Sequence, residues 1–180
     1  MKDYIDNYLV SRDSSYIQEI INKIKSAENR SNGVLTNSLV LYIAEIVLVG
    51  QIDQRVYNEF LLAILNGLDN ETRKYYINAV ANQLRYPNSH TQLFSCALLY
   101  MFSECKKPII EEQIARVLTE RTSAYRPHPW GVLITLIELV KNPRYEFLKK
   151  PFTHCSQDIE NYYEKISKNF MADSDVLHNN

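Results

Sequence analysis

Glycine and proline are scarce in this chain, and most of them fall at near-even, helix-length intervals. Gly33, Gly50 and Gly67 stand 17 residues apart, and Pro87, Pro108 and Pro129 continue the series at steps of 20, 21 and 21. The chain holds only 4 Gly and 6 Pro in 180 residues, about half the usual share. Sandwiches and barrels need a turn signal every ~8–12 residues. Nucleotide-binding α/β folds need glycines where backbone meets phosphate. No two glycines here lie within five residues of each other, so neither the dinucleotide fingerprint nor a phosphate-binding loop can be written.

Between these junctions the apolar residues recur at helical spacing. Eight stripes follow one another: Ile17, Ile20, Ile21 and Ile24; Leu39, Tyr42, Ile43, Ile46 and Val47; Val56, Phe60, Ala63 and Ile64; Ile77, Val80, Ala81 and Leu84. The later ones are Phe94, Ala97, Leu98 and Met101; Ile110, Ile114, Val117 and Leu118; Trp130, Leu133, Ile134 and Ile137; and Ile159, Tyr162, Tyr163, Ile166 and Phe170. Positions i, i+3, i+4 and i+7 share one face of an α-helix. Gly50 and Gly67 sit where a left-handed residue would end a helix, with Asp53 and Asp69 placed to cap the next. Prolines fit junctions or first turns, because they lack the amide that a helix interior needs. Short connections make successive helices antiparallel, and two such units match the repeat length of helical-hairpin solenoids. The expected fold is all-α: stacked antiparallel hairpins in a HEAT-like irregular α-solenoid of about eight helices.

Charge and cysteine content narrow the function. The net charge of −1 gives no global field to recruit nucleic acid or a membrane. Residues 106–150 form a mildly basic stretch, with nine Lys/Arg against five Asp/Glu. Charged outer helix faces explain such a stretch without any ligand. Cys96, Cys105 and Cys155 are odd in number and widely spaced, against a disulfide framework or a zinc site. The start, MKDYIDNYLV, lacks a basic leader followed by a long apolar run, so secretion is not expected. The most apolar run, Val34 to Val49, carries Asn37, Ser38 and Glu45, which suits a buried helix better than a membrane span. The four histidines have no metal-binding spacing, and no nucleophile, base and orienting group come together, so no catalytic residue, metal or cofactor is expected. The tail at 172–180 lacks a stripe and is expected to fray.

Two loops combine rigid, aromatic and hydrogen-bonding groups. One runs from Gln83 to Thr91 and contains Arg85, Tyr86, Asn88 and His90, with Asn88 or Ser89 able to cap the following helix. The other is Tyr125 to Gly131, containing Arg126, His128 and Trp130, where two prolines fix the backbone beside the only tryptophan. Arg, Tyr and Trp are the residue types enriched where proteins bind one another. Arg85, Tyr86, Asn88, His90, Arg126, His128 and Trp130 are therefore the candidate partner-binding residues. The competing explanation is structural: Trp130 plugs the core while Arg85 or Arg126 tethers a loop. The 13 tyrosines could also form a stacking platform for single-stranded RNA, although phosphate binding would call for more clustered Lys/Arg.

The same loops carry a resemblance. NAVANQLRYPNSHTQLFSCALLYMF (78–102), IEEQIARVLTER (110–121), RPHPWGVLITLIELVKNP (126–143) and the F-x-H-C at Phe152 to Cys155 closely resemble the C-terminal domain of the large scaffold subunit of the CCR-NOT deadenylation complex. The likeness is strongest from Asn78 to Ile166 and extends back to Val34, leaving residues 1–33 outside it. The expected organisation is 1–33 as an N-terminal helical extension, 34–171 as the HEAT-like domain that the likeness implies, and 172–180 as tail. The likeness also implies a non-enzymatic docking domain, cytoplasmic and nuclear, without direct nucleic-acid or membrane binding. The implied partners are the smaller Not subunits, negative regulator of transcription subunits 2 and 3 or 5, and short motifs of RNA-bound repressors.

Overall fold

The computed structural model describes residues 1–169 except Glu28, Gln51, Pro87 and Ser89. Each expected stripe centres on a helix, and one further helix precedes them. The elements are α1 Lys2–Ser11, α2 Ser14–Ser26, α3 Asn29–Leu48, α4 Gln54–Gly67, α5 Asn70–Asn82, α6 Thr91–Glu104, α7 Pro108–Ala124, α8 Trp130–Lys141 and α9 Gln157–Asn169. Three single-turn 3-10 helices, Pro143–Tyr145, Phe147–Lys149 and Pro151–His154, link α8 to α9. No strand occurs among the described residues. The 172–180 tail, Phe170, the Pro87 boundary and the capping role considered for Ser89 lie outside the described residues.

The junction chemistry explains most boundaries. Asp69 accepts the Thr72 amide at 2.9 Å and so caps α5. Asp13 likewise takes the Ser15 amide at the start of α2, and Pro108 occupies the first turn of α7. Asp53 precedes α4 without a side-chain cap bond. Gly50 has φ +74°, the left-handed conformation expected of it. Two other glycines differ from expectation. Gly33 lies inside α3, which runs unbroken across residues 33 and 34. Gly67 closes α4 as a helical residue, and there the reason for glycine is space. A Cβ would stand 2.3 Å from the Ile21 side chain, where α2 crosses α4.

The helices form two layers. α3, α5 and α7 stack in one, and α2, α4, α6 and α8 in the other; each helix also packs on its neighbours in sequence. This pattern of next and next-but-one neighbours is that of a helical-hairpin solenoid. Leu39, Ile43, Phe60, Ile64, Tyr76, Ile77, Val80, Phe94, Leu98, Ile114 and Leu118 fill the space between layers, each at most 2% exposed. The tyrosine pairs divide as their spacing suggests: Tyr76 and Tyr163 are buried, whereas Tyr75 and Tyr162 are half-buried.

One stripe is out of phase. On α8 the core side is Gly131, Val132, Thr135, Leu136, Leu139 and Val140, whereas Trp130 and Ile134 are 60% and 44% exposed. Almost every α8 position is apolar, so periodicity alone cannot set its rotation. Packing does: a Cβ on Gly131 would lie 2.8 Å from the Leu84 carbonyl and from the Thr91 methyl. Only the glycine side of α8 can approach the end of α5 this closely. Trp130, one residue away, is turned outward, which overturns its alternative role as a core plug.

Candidate partner-binding groove

The close approach at Gly131 brings the two candidate loops together. Arg85, Tyr86, Tyr125, Arg126, Pro127, His128, Pro129 and Trp130 line one groove of about 370 Å³. Five of the seven candidate residues therefore share a site: Arg85, Tyr86, Arg126, His128 and Trp130. The other two hold a loop. The Asn88 side chain accepts the His90 amide at 2.8 Å and donates to the Tyr86 carbonyl at 3.1 Å. The Asn88 amide in turn donates to the Thr91 hydroxyl at 3.0 Å. Asn88 thus orders the turn into α6, and His90, half-buried, occupies the cap position without a side-chain cap bond.

The groove is cationic and aromatic. The Arg85 guanidinium lies 4.7 Å from the Tyr125 ring centre and 5.3 Å from that of Tyr86, so it ties the two loops by cation–π stacking. Arg126 is exposed, and neither guanidinium pairs with a carboxylate among the described residues. No carboxylate lines the groove. His128 Nδ1 sits 2.7 Å from the Thr122 carbonyl. A carbonyl only accepts, so Nδ1 carries a proton and Nε2 remains the ring's other polar atom.

A third arginine sits behind the groove and was not singled out in the sequence. Arg121 on α7 donates to the Asn78 side chain at 2.8 Å and to Asn82 at 2.6 Å. Asn82 donates onward to Asn37 of α3 at 3.1 Å. This polar chain crosses the α3, α5 and α7 layer. Burial holds the Arg121 guanidinium below the usual arginine range, and the nearby Arg85 charge acts in the same direction. The available signal was the pair Asn78 and Asn82: amides at i and i+4 are poor helix formers, unless they serve one partner on the next helix.

A second groove of similar size, about 390 Å³, lies between α7 and α9. Two pairs of its polar groups bond each other. Arg116 bonds Glu112 at 2.6 Å, and the Thr119 and Tyr163 hydroxyls meet at 2.9 Å. Among the described residues no group of three or more His, Cys, Asp or Glu is placed to hold a metal. No helix there is long and apolar enough to cross a membrane.

A family model described as "CCR4-Not complex component, Not1" matches residues 1–167. The chain belongs to the Not1 family. The match includes residues 1–33, which the sequence motifs leave outside the likeness. Among Not1 relatives, the "CCR4-NOT transcription complex subunit let-711" of Caenorhabditis elegans is 36% identical over 178 residues, 91% of this chain. The "General negative regulator of transcription subunit 1" of Schizosaccharomyces pombe is 44% identical over 59% of it, and that of Saccharomyces cerevisiae 27% over 93%. The chain spans only 5–9% of the length of these relatives. The structure of the NOT1 superfamily homology domain from Chaetomium thermophilum superposes with a TM-score of 0.82 at 26% identity, covering 92% of this chain and 37% of that one.

Proposed function

We propose that this chain is a non-catalytic docking domain within a CCR4-Not scaffold, active in mRNA deadenylation, translational repression and transcription regulation in cytoplasm and nucleus. Its partners are the smaller Not subunits, negative regulator of transcription subunits 2 and 3 or 5, and short motifs of RNA-bound repressors. One observation carries this reading: the rim of the helical stack holds an open groove in which Arg126 and the exposed Trp130 have no bonded partner among the described residues. Arg and Trp in such positions are the usual anchors of protein–protein contacts; Trp130 starts α8 and Arg126 precedes Pro127 in the short loop before it, which limits the entropic cost of binding. Membership of a family named for a complex supports the same reading. The test is co-expression of the folded chain with the smaller Not subunits, followed by size-exclusion chromatography. A stable co-eluting complex is expected, and absence of any complex with well-folded material overturns the proposal.

A further inference from the structure

We propose that the Arg85–Trp130 groove takes a short protein segment whose acidic side chains meet Arg85 and Arg126 while a large apolar side chain covers Trp130 and Ile134. This rests on the docking role above and adds the chemistry of what docks.

Charge complementarity comes first. The groove presents two guanidiniums and no carboxylate, and Arg121 lies close behind Arg85. Arg85 lies over the Tyr125 and Tyr86 rings and donates no hydrogen bond to another described residue. Its edge, with the N–H groups arranged as a fork, remains suited to a carboxylate. Arg126 makes no ion pair or ring contact among the described residues, so a ligand carboxylate displaces nothing there.

Apolar complementarity comes second, and Trp130 joins the two. Besides lining the groove, it borders an adjoining hollow of about 240 Å³ between α6 and α8, lined by Thr91, Gln92, Ser95, Trp130, Gly131 and Ile134. Trp130 and Ile134, one helical turn apart, form its exposed apolar rim. A segment that spans both hollows therefore carries acids at one end and an aromatic or aliphatic anchor at the other. Single-stranded RNA fits less well. Exposed faces of Tyr86 and Trp130 could stack bases, but the groove lining supplies only two guanidiniums, few for a phosphate backbone.

The test is selection of random displayed peptides about ten residues long, enough to bridge both hollows at ~3.4 Å per residue. The full chain is compared with its Arg126→Glu variant and an Arg85→Glu/Arg126→Glu variant. Peptides that are acidic and carry a large apolar residue are expected to enrich on the wild-type chain. They should shift the fluorescence of the sole tryptophan, lose about tenfold or more in affinity on Arg126→Glu, and weaken with salt. The double variant should select basic peptides instead. Arg126 is exposed and has no partner among the described residues, so its substitution is expected to leave folding intact, which circular dichroism checks. Enrichment without charge bias, no enrichment, affinity indifferent to Arg126→Glu, or oligouridylate that outcompetes the peptides would each overturn the proposal. If the smaller Not subunits co-elute equally with wild type and Arg126→Glu, the docking role stands and this groove assignment fails. If they co-elute with neither, the docking role fails.

Discussion

The molecule brings aromatic rings and cations together at two joints, with opposite results. Where the 3-10 segments meet α6, α7 and α9, aromatics and cations close on themselves. Phe147 stacks on Phe102 at 5.7 Å and meets the edges of Tyr163 at 5.0 Å and Phe152 at 5.6 Å. Lys150 bonds Glu111 at 2.8 Å and rests over the Phe102 ring. At the groove, tyrosines, a tryptophan and arginines converge, yet Trp130 and Arg126 have no bonded partners among the described residues. Residue type alone therefore does not separate a structural cluster from a binding surface. Supply of internal partners does, and substitution at each joint should expose the difference.

The largest effect is expected at the closed joint. Phe147 is 1% exposed and has three aromatic neighbours, so Phe147→Ala should cost about 3–5 kcal/mol of stability, read by urea denaturation. A loss below about 1 kcal/mol would mean that this cluster can collapse or is not as closed as it looks. Next comes the contact that assembles the groove. Gly131→Ala places a methyl against the Leu84 carbonyl and the Thr91 methyl; the backbone cannot rotate away as a side chain could. We expect a destabilisation of about 1–3 kcal/mol together with weaker partner binding, because the two loops separate. Unchanged stability would show that α8 can shift without cost.

At the open joint the expectation reverses. Trp130→Ala should change stability by no more than about 0.5 kcal/mol while weakening partner binding by about 2 kcal/mol. Strong iodide quenching of Trp130 in the free chain, reduced on partner binding, would support the contrast. A Trp130→Ala variant that unfolds early would return Trp130 to the core and erase the difference between the two joints.

What the sequence could reveal follows the range of the interactions involved. Eight helices were legible because their stripes are local, as with Ile17, Ile20, Ile21 and Ile24 on α2. α1 showed no stripe of its own within the expected helical extension, since Ile5 is its only buried residue and a single position has no period. The rotation of α8 was hidden for the opposite reason: too many positions are apolar, and the contact of Gly131 with Leu84 spans almost fifty residues. That same contact joins the two candidate loops, so their residue types were readable while their convergence was not. Asn88 shows the local side again. An Asn in a turn before a helix bonds nearby backbone by habit, and it does so here, away from the groove lining.

The smallest effect concerns the closed joint's outer edge, where His154 ties the 3-10 segment to α9. Its Nδ1 is 2.9 Å from a Glu160 carboxylate oxygen and its Nε2 is 2.8 Å from the Leu148 carbonyl. Both partners accept, so only the imidazolium, with two N–H donors, satisfies both. The Glu160 hydrogen bond, followed by the Leu148 carbonyl, holds the His154 pKa above its ordinary value. A raised folded-state pKa means that the tie is at full strength below about pH 6.5, the unfolded-state value. It fades as pH rises through the higher folded-state value. Proton NMR titration of the ring should give a midpoint above that of an unperturbed histidine, and Glu160→Gln should bring it down. A midpoint at or below the ordinary value would mean that the neutral ring is held there, with one acceptor left unmatched. Binding at the distant groove should not follow this titration, because every group in the His154 tie already has its partner inside the chain.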